Sequence, residues 1–242
     1  MSKVCMYCQV GSALDMAKFS IKSALDNAGM DDYNIIFICW KTSNEVYDWL
    51  KENNFEYYDI GYDEGKGFLH NLYRGWNAGY EFGFKKANYV VPIATDHAFY
   101  KNWLLNLVKH ATPNRIVNCK LIEPGTLPSL HTTRNFGLPI EGEFQMDEFL
   151  AFCKEISQDH LVMSRYEYTH RLDAMPFLCS KDVWERFGPM NLGLNAVGTT
   201  GDSDWFERCE AGGVEITKAL DSISFHGGGL ETRRNEKIGV YT

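Results

Sequence analysis

Apolar residues recur along the first half of the chain in two alternating patterns, one typical of strands and one typical of helices. A near-continuous apolar run predicts a buried strand at residues 34–40, and further strands are predicted at residues 3–10, 55–60 and 89–94. Between the predicted strands, apolar residues three or four positions apart predict helices, as for Leu14, Ala17 and Ile21 in the first. This alternation favours a doubly wound, mostly parallel α/β sheet.

Polar residues and one proline qualify these elements. Ser12 and Asn44 are expected to cap the first two helices, because their side chains can accept a hydrogen bond from a free backbone N–H. Pro92 has no N–H to donate, so the strand over 89–94 is expected to be irregular there or unpaired on one side.

The alternation breaks between Asn118 and Arg171, where prolines and glycines mark a long loop with one predicted helix over Met146–Ile156. Long excursions of this kind are usually binding loops or lids. We therefore expect residues 120–171 to form a large insertion. Its polar side chains include His131, Arg134 and Tyr166. Beyond it, the pattern predicts a strand at 176–179, helices at Lys181–Phe187 and 203–211, and a strand at 214–220.

Composition excludes several classes of protein. The 242 residues fit one large domain, and a net charge of −8 disfavours nucleic acid and anionic membranes as partners. No run of about 18 apolar residues predicts a transmembrane helix, and the opening residues lack the pattern of a signal peptide. Seven scattered cysteines fit reduced thiols, so we expect a cytoplasmic protein. Cys5 and Cys8 form a lone C-x-x-C, for which metal or redox chemistry is a minor alternative.

Residues 67–107 carry the most informative pattern in the chain. Gly75, Gly79 and Gly83 form one stripe of a predicted helix, which indicates either close packing or contact with a ligand. A predicted strand follows and ends near Asp96. Open α/β sheets bind ligands at the carboxyl ends of their strands, so Asp96 is a candidate ligand-binding residue.

Three segments resemble motifs of family-two glycosyltransferases. Residues 67–96 resemble that family's G-F-x-x-A-x-N-x-G segment, which ends on an aspartate. GDSDWFERCEAGG, at residues 201–213, resembles E-D-x-D-L-x-x-R-x-x-x-x-G, with Gly201 where a glutamate is common. His226, in SFHGGG, follows the last predicted strand, where metal-dependent members of this fold often place a histidine.

The resemblance implies a GT-A fold and a metal-dependent, inverting transfer of a sugar from a nucleotide-sugar to a hydroxyl acceptor. It assigns Mn²⁺ or Mg²⁺ to Asp96 and His226, catalysis to Asp202 and Asp204, and the role of general base to Asp202. His97 is expected to face solvent. The predicted nucleotide-sugar-binding residues are Gln9, Trp40, Lys41, Gly67, Asn77 and Asp96. Trp40 can stack on a base, and Lys41 can pair with a phosphate.

The predicted organisation is a single domain over residues 1–242. Residues 1–115 would form the nucleotide-sugar half, and residues 116–242 the acceptor half. Two alternatives stay open: a non-catalytic protein that binds a sugar nucleotide or a glycan, and a nucleotidyltransferase. The lack of a basic glycine-rich motif near Gly11 counts against the second. The sequence leaves the sugar, the nucleotide, the acceptor and the oligomeric state open.

Overall fold

The computed structural model describes residues 2–125, 132–163, 175–193 and 201–227. Its strands are β1 (Ser2–Val10), β2 (Tyr33–Cys39), β3 (Glu56–Asp59), β4 (Ala87–Ile93), β5 (His97–Phe99), β6 (Arg115–Glu123), β7 (Thr132–Thr133), β8 (Leu161–Met163), β9 (Phe177–Ser180) and β10 (Glu215–His226). Its helices are α1 (Leu14–Asp26), α2 (Asn44–Glu52), α3 (Phe68–Gly83), α4 (Trp103–Val108), α5 (Met146–Ile156), α6 (Lys181–Phe187) and α7 (Gly201–Ala211).

The strands join into one mixed sheet whose first four strands are all parallel. Its order is β3-β2-β1-β4-β9-β6-β10-β5, with β7 paired to β6 and β8 paired to β10. Strand β9 runs antiparallel to both β4 and β6, so β4 and β6 point in the same direction. Strand β10 is parallel to β6. The predicted α/β architecture is confirmed, and β4, β6 and β10 all end at one edge.

Helices cover both faces of the sheet, because neighbouring residues of a strand point to opposite sides. Cys8 of β1 packs in the core beneath α1, α2 and α4, whereas Cys5 and Tyr7 pack in the core beneath α3, α6 and α7. Cys5 and Cys8 therefore face opposite layers and do not form a shared metal site. Burial raises the pKa of the Cys5 thiol to about 12, as expected of an inert core cysteine.

The glycine stripe of α3 exists because this helix lies close against the sheet. A Cβ atom at Gly79 would overlap the ring of Tyr7, and one at Gly83 would lie 2.9 Å from Val90. At Gly75 it would overlap the side-chain amide of Gln9. Close packing, one of the two explanations offered by the sequence, accounts for all three glycines.

The predicted helix caps were wrong in two cases. Ser43, not Asn44, caps α2 by accepting from the N–H of Val46 at 3.5 Å. Ala13 occupies the N-cap of α1, where no side chain supplies a cap. The expectation for Pro92 is confirmed, because β4 pairs with β1 as far as Ile93 but with β9 only as far as Val90.

The second half of the chain is more regular than its sequence suggested. Residues 118–123 belong to β6 in the sheet, so the regular pattern extends to Glu123. Strand β10 continues past a bulge between Ala219 and Ile223 and ends at His226. Helices α5 and α6 have their predicted bounds. His131 and Tyr166 lie outside the described residues.

The described helices include none with the length and apolar character needed to cross a bilayer.

Most of the described aromatic side chains pack in the hydrophobic core. Trp103, Trp205, Tyr7 and Tyr80 are among the largest fully buried residues.

Candidate active site

Three chain segments meet at the carboxyl edge of the sheet and bring together side chains that are far apart in sequence. Asp96 follows β4, His97 begins β5, Glu123 ends β6 and His226 ends β10. We call these four residues the His226 cluster. Antiparallel pairing of β5 with β10 sets His97 opposite His226.

Backbone contacts fix the position of this cluster. The N–H of Gly227 donates to the carbonyl oxygen of Asp96 at 2.8 Å, which ties the end of β10 to the turn after β4. Ser20 of α1 donates to the carbonyl of Thr95 at 2.6 Å and accepts from the N–H of His97 at 3.1 Å. The turn that carries the candidate ligands is thus held from both sides.

The imidazole of His226 lies between two buried carboxylates. Its Nε2 is 3.3 Å from Oδ2 of Asp96, and its Nδ1 is 3.2 Å from Oε1 of Glu123. The side chains of Asp96 and Glu123 are only 9% and 11% exposed. Carboxylates this poorly hydrated need a nearby cation, and His226 supplies one when it is protonated.

His97 is buried, which contradicts the expectation that it faces solvent. It is 1% exposed, and its ring centre lies 5.1 Å from that of His226. Its Nδ1 is buried without a hydrogen-bond partner among the described residues. Ligand atoms of Asp96, His97 and His226 lie within 4.8 Å of one another. The sequence predicted no strand at this position, because β5, which His97 begins, is only three residues long.

The pKa values in the cluster reflect burial opposed by neighbouring charge. Burial lowers the pKa of His97 to about 3, and the positive charge of His226 acts in the same direction. Burial alone would also lower the pKa of His226, but Asp96 and Glu123 raise it to about 10. For Asp96, burial is outweighed by His226, and its pKa lies below the usual range. Without a bound metal, Asp96 is thus ionised, His226 is an imidazolium and His97 is a neutral imidazole.

This donor set fits a divalent cation. A carboxylate and two imidazoles are nitrogen and oxygen ligands, and imidazole suits transition metals better than it suits Mg²⁺. Burial keeps the His97 ring neutral, so one of its two nitrogens carries a lone pair, and the unpartnered Nδ1 offers it in the Nε2–H tautomer. Between the two predicted ions, the chemistry of these groups favours Mn²⁺.

Asp202 lies in the first turn of α7 and is 4% exposed. The hydroxyl of Tyr73, from α3, donates to its Oδ1 at 2.7 Å. Gly201 departs from the family's glutamate for a steric reason, since a Cβ there would overlap the carbonyl oxygen of Asn191 and lie 3.0 Å from the ring of Tyr73. Helix α7 precedes β10 in the chain, and residues 212–214 join the two elements.

Asp204 has a different set of contacts. Its Oδ2 accepts from Nε of Arg208 at 3.0 Å and from Nδ2 of Asn191 at 2.7 Å. Arg208 also donates to the carbonyl oxygens of Phe187 and Pro189. Asp204 thereby orients an arginine that holds the segment after α6 against α7. These contacts favour a structural role for Asp204, and its catalytic role stays a prediction.

Three of the predicted donor-binding residues gather at the ends of β1 and β2. Trp40 donates from Nε1 to Oε1 of Gln9 at 2.6 Å and stacks on Tyr62 with ring centres 6.0 Å apart. Lys41 adopts a left-handed backbone with φ of 54°, and its ammonium lies 4.9 Å from the centre of the Tyr62 ring. Gly67 is the N-cap residue of α3, and a Cβ atom there would meet no other atom within 4 Å. The sequence predicted Trp40 as a stacking residue but not its partner Tyr62, because Tyr62 lies in a loop.

Both polar atoms of the Asn77 side chain form hydrogen bonds within the protein. Its Nδ2 donates to the carbonyl of Met190, and its Oδ1 accepts from the N–H of the same residue, both at 2.9 Å. The asparagine therefore joins α3 to the segment after α6. A direct role of Asn77 in donor binding stays a prediction.

The structure resembles solved glycosyltransferases. The crystal structure of GalNAc-T7 with UDP, GalNAc and Mn²⁺ superposes with a TM-score of 0.60 at 9% sequence identity, covering 93% of this chain and 44% of that one. Residues 1–349 of S. aureus TarS also give a TM-score of 0.60, at 6% identity, covering 98% of this chain and 64% of that one. The chain has the GT-A fold.

The GT-A fold is the extent of this likeness. At these identities the similarity describes architecture alone, and the chain spans less than two thirds of the length of either protein. No protein-family model and no curated protein matches its sequence. The function of this GT-A chain must therefore be argued from its own residues.

Proposed function

We propose that this chain is a metal-dependent, inverting glycosyltransferase that moves a sugar from a nucleotide-sugar donor to a hydroxyl acceptor. The observation that carries the proposal is the meeting of Asp96, His97 and His226 at the carboxyl edge of a GT-A sheet. One GT-A neighbour, GalNAc-T7, supports the donor class, because it was crystallised with UDP, GalNAc and Mn²⁺.

Asp96, His97 and His226 would hold the cation. When bound, a divalent cation stabilises the negative charge that develops on the leaving diphosphate. Gln9, Trp40 and Lys41 would form the nucleotide side of the donor site, where Trp40 and Tyr62 present flat faces for a base. Lys41 would leave the ring of Tyr62 to pair with a phosphate.

Asp202 would act as the general base. The acceptor oxygen attacks the anomeric carbon as the carbon–oxygen bond to the diphosphate breaks, and the acceptor proton passes to a carboxylate oxygen of Asp202. The diphosphate leaves with the bonding electrons. The hydrogen bond from Tyr73 to Oδ1 fixes the orientation of the carboxylate. Inversion follows because attack and departure occur on opposite faces of the sugar.

The two halves of the chain would bind different substrates. Residues 1–115 contain the nucleotide side, and residues 116–242 supply the acceptor side, with 120–171 as the insertion that borders the acceptor. Strand β6 lies within this second half and contributes Glu123 to the His226 cluster. The halves therefore share one site at the sheet edge.

Donor hydrolysis tests the proposal directly. Purified protein is incubated with a panel of uridine and guanosine diphosphate sugars, with Mn²⁺ or with EDTA, and release of nucleoside diphosphate is measured. We expect release from at least one donor that depends on Mn²⁺. Mn²⁺-dependent donor binding without hydrolysis or transfer would favour the alternative of a binding protein. Release of pyrophosphate from a nucleoside triphosphate with a sugar phosphate would favour a nucleotidyltransferase.

A further inference from the structure

Glu123 has no role in any motif of the sequence, yet it contacts the candidate metal site through His226. It ends β6, is 8% exposed, and places Oε1 3.2 Å from Nδ1 of His226. A carboxylate can only accept, so the Nδ1–H of His226 is the donor in this pair. Nε2 of the same ring faces Asp96.

We propose that Glu123 is the positioning residue of the metal site. Because it accepts the proton of Nδ1, it selects the tautomer of His226 in which Nε2 carries the lone pair on the side of Asp96 and His97. An imidazole ligand that donates its other N–H to a carboxylate is a stronger and better-oriented base toward a cation. This inference rests on the proposed function, since it assigns Glu123 a task at the metal site proposed there.

The backbone around Glu123 makes the contact a fixed one. Strand β6 pairs with β10 as far as Ile122 opposite Phe225, so the last residues of the two strands are adjacent. The carbonyl of Glu123 accepts from the N–H of Arg134 at 2.9 Å. Glu123 is thus held next to His226 by the sheet rather than by a mobile loop.

Two variants of Glu123 separate positioning from ligation. Glu123→Gln keeps a side-chain oxygen that can accept from Nδ1–H, whereas Glu123→Ala removes the acceptor. Mn²⁺ is titrated into EDTA-treated, dialysed protein, and free Mn²⁺ is followed by electron paramagnetic resonance. We expect Glu123→Ala to weaken Mn²⁺ binding by about 10–100-fold, and Glu123→Gln to weaken it less.

Controls distinguish failure of this inference from failure of the proposed function. Glu215→Gln removes a charge at the other end of β10, where Glu215 pairs with Arg115 at 2.6 Å, and should leave Mn²⁺ affinity unchanged. Asp96→Ala and His226→Ala should abolish binding. If those two variants bind Mn²⁺ normally, the proposed metal site itself is wrong.

Other outcomes bear on Glu123 alone. Unchanged affinity in folded Glu123→Ala, with binding lost in Asp96→Ala, would overturn the positioning role and leave the metal site standing. A loss as complete as that of Asp96→Ala in both Glu123 variants would make Glu123 a ligand and also overturn it. Circular dichroism and thermal unfolding of each variant verify the fold.

Discussion

Two clusters of charged side chains lie along β10, and both could hold a metal ion by the spacing of their ligand atoms. The His226 cluster lies at the carboxyl end of the strand. The second, which we call the Lys109 cluster, lies at the bulge and contains Lys109, His110, Asp159 and Asp221. In each cluster one cationic side chain lies between two carboxylates.

The clusters differ in the cation that each contains. Lys109 donates to Asp159 at 2.5 Å and also pairs with Asp221. Burial alone would lower the pKa of the Lys109 ammonium, but these two carboxylates raise it above the usual value. A charged ammonium has no lone pair and cannot bind a metal. The imidazolium of His226 becomes a ligand when it loses a proton. The Lys109 cluster is therefore a structural ion pair, whereas the His226 cluster can exchange its proton for a metal ion.

The largest expected effect comes from removing Asp96. Asp96→Ala should abolish Mn²⁺-dependent binding of a nucleotide-sugar donor, because it deletes the only carboxylate in the group of three candidate ligands at the described sheet edge. Isothermal titration of donor with and without Mn²⁺ measures the loss.

Asp159→Asn is the matched variant in the Lys109 cluster. Asp159 has a side chain that is 84% exposed, and its removal should leave donor affinity unchanged. Unchanged donor affinity in Asp96→Ala would exclude Asp96 from the site. Equal losses in both variants would erase the distinction between the clusters.

A second prediction asks whether the functional region extends to α7. Asp202→Asn keeps an oxygen that can accept from Tyr73 but cannot take the acceptor proton. The transfer rate should therefore fall by about 10²–10⁴-fold, the usual contribution of general acid–base catalysis. Single-turnover transfer measures the rate, and titration should find donor affinity little changed.

Asp204→Asn is the control in the same helix. Because Asp204 orients Arg208, this substitution should mainly lower thermal stability. Its effect on the transfer rate should be small. Near-normal turnover in Asp202→Asn together with its loss in Asp204→Asn would mean that the base is Asp204. If neither variant slows transfer, inversion by this motif is the wrong mechanism.

The third prediction concerns the Lys109 cluster itself. Lys109→Met retains most of the side-chain volume but leaves the buried carboxylate of Asp221 without its cation. It should destabilise the fold by about 1–3 kcal/mol, with Mn²⁺ affinity unaffected. Chemical denaturation and Mn²⁺ titration measure the two effects. Lys22→Met, at an exposed pair with Asp26, should change stability little. A loss of Mn²⁺ affinity in Lys109→Met would contradict the structural role.

Apolar periodicity predicted the first half of the fold because most residues of β1, β2 and β4 are apolar. It failed at β6, where Asn118 and Lys120 interrupt the apolar run. The structure satisfies both inside the protein: Asn118 donates to the carbonyl of Thr217 at 2.8 Å, and Lys120 donates to that of Ile156 at 2.8 Å. A polar residue in a buried strand is predictable only when its partner is known, and these partners are 36 or more positions away.

The sequence predicted those residues of the site that belong to a recognisable motif. Asp96, Asp202 and His226 follow from the resemblance, and sheet pairing brings Asp96 and His226 to 3.3 Å. Glu123 lies outside the motif segments, and Tyr73 lies within residues 67–96 but was assigned no role there; each matters only through the residue it touches. Gly201 departs from the motif because of a neighbouring carbonyl that the sequence could not place.

The smallest expected effect is a pH dependence that separates the two cations. His226 has a raised pKa of about 10 in the folded protein, against about 6.5 in an unfolded chain. Above pH 6.5 the unfolded chain loses this proton while the folded protein keeps it, so stability falls as pH rises toward 10. The stabilising contribution of the His226 proton is fully present below the unfolded pKa.

In EDTA, wild type should lose on the order of 1 kcal/mol more than His226→Gln between pH 7 and pH 9. Equilibrium unfolding in urea at each pH measures the difference. Lys109→Met should follow the wild-type slope, because the Lys109 ammonium is charged in both states over this range. Parallel slopes for wild type and His226→Gln would mean that His226 is not the exchangeable cation of its cluster.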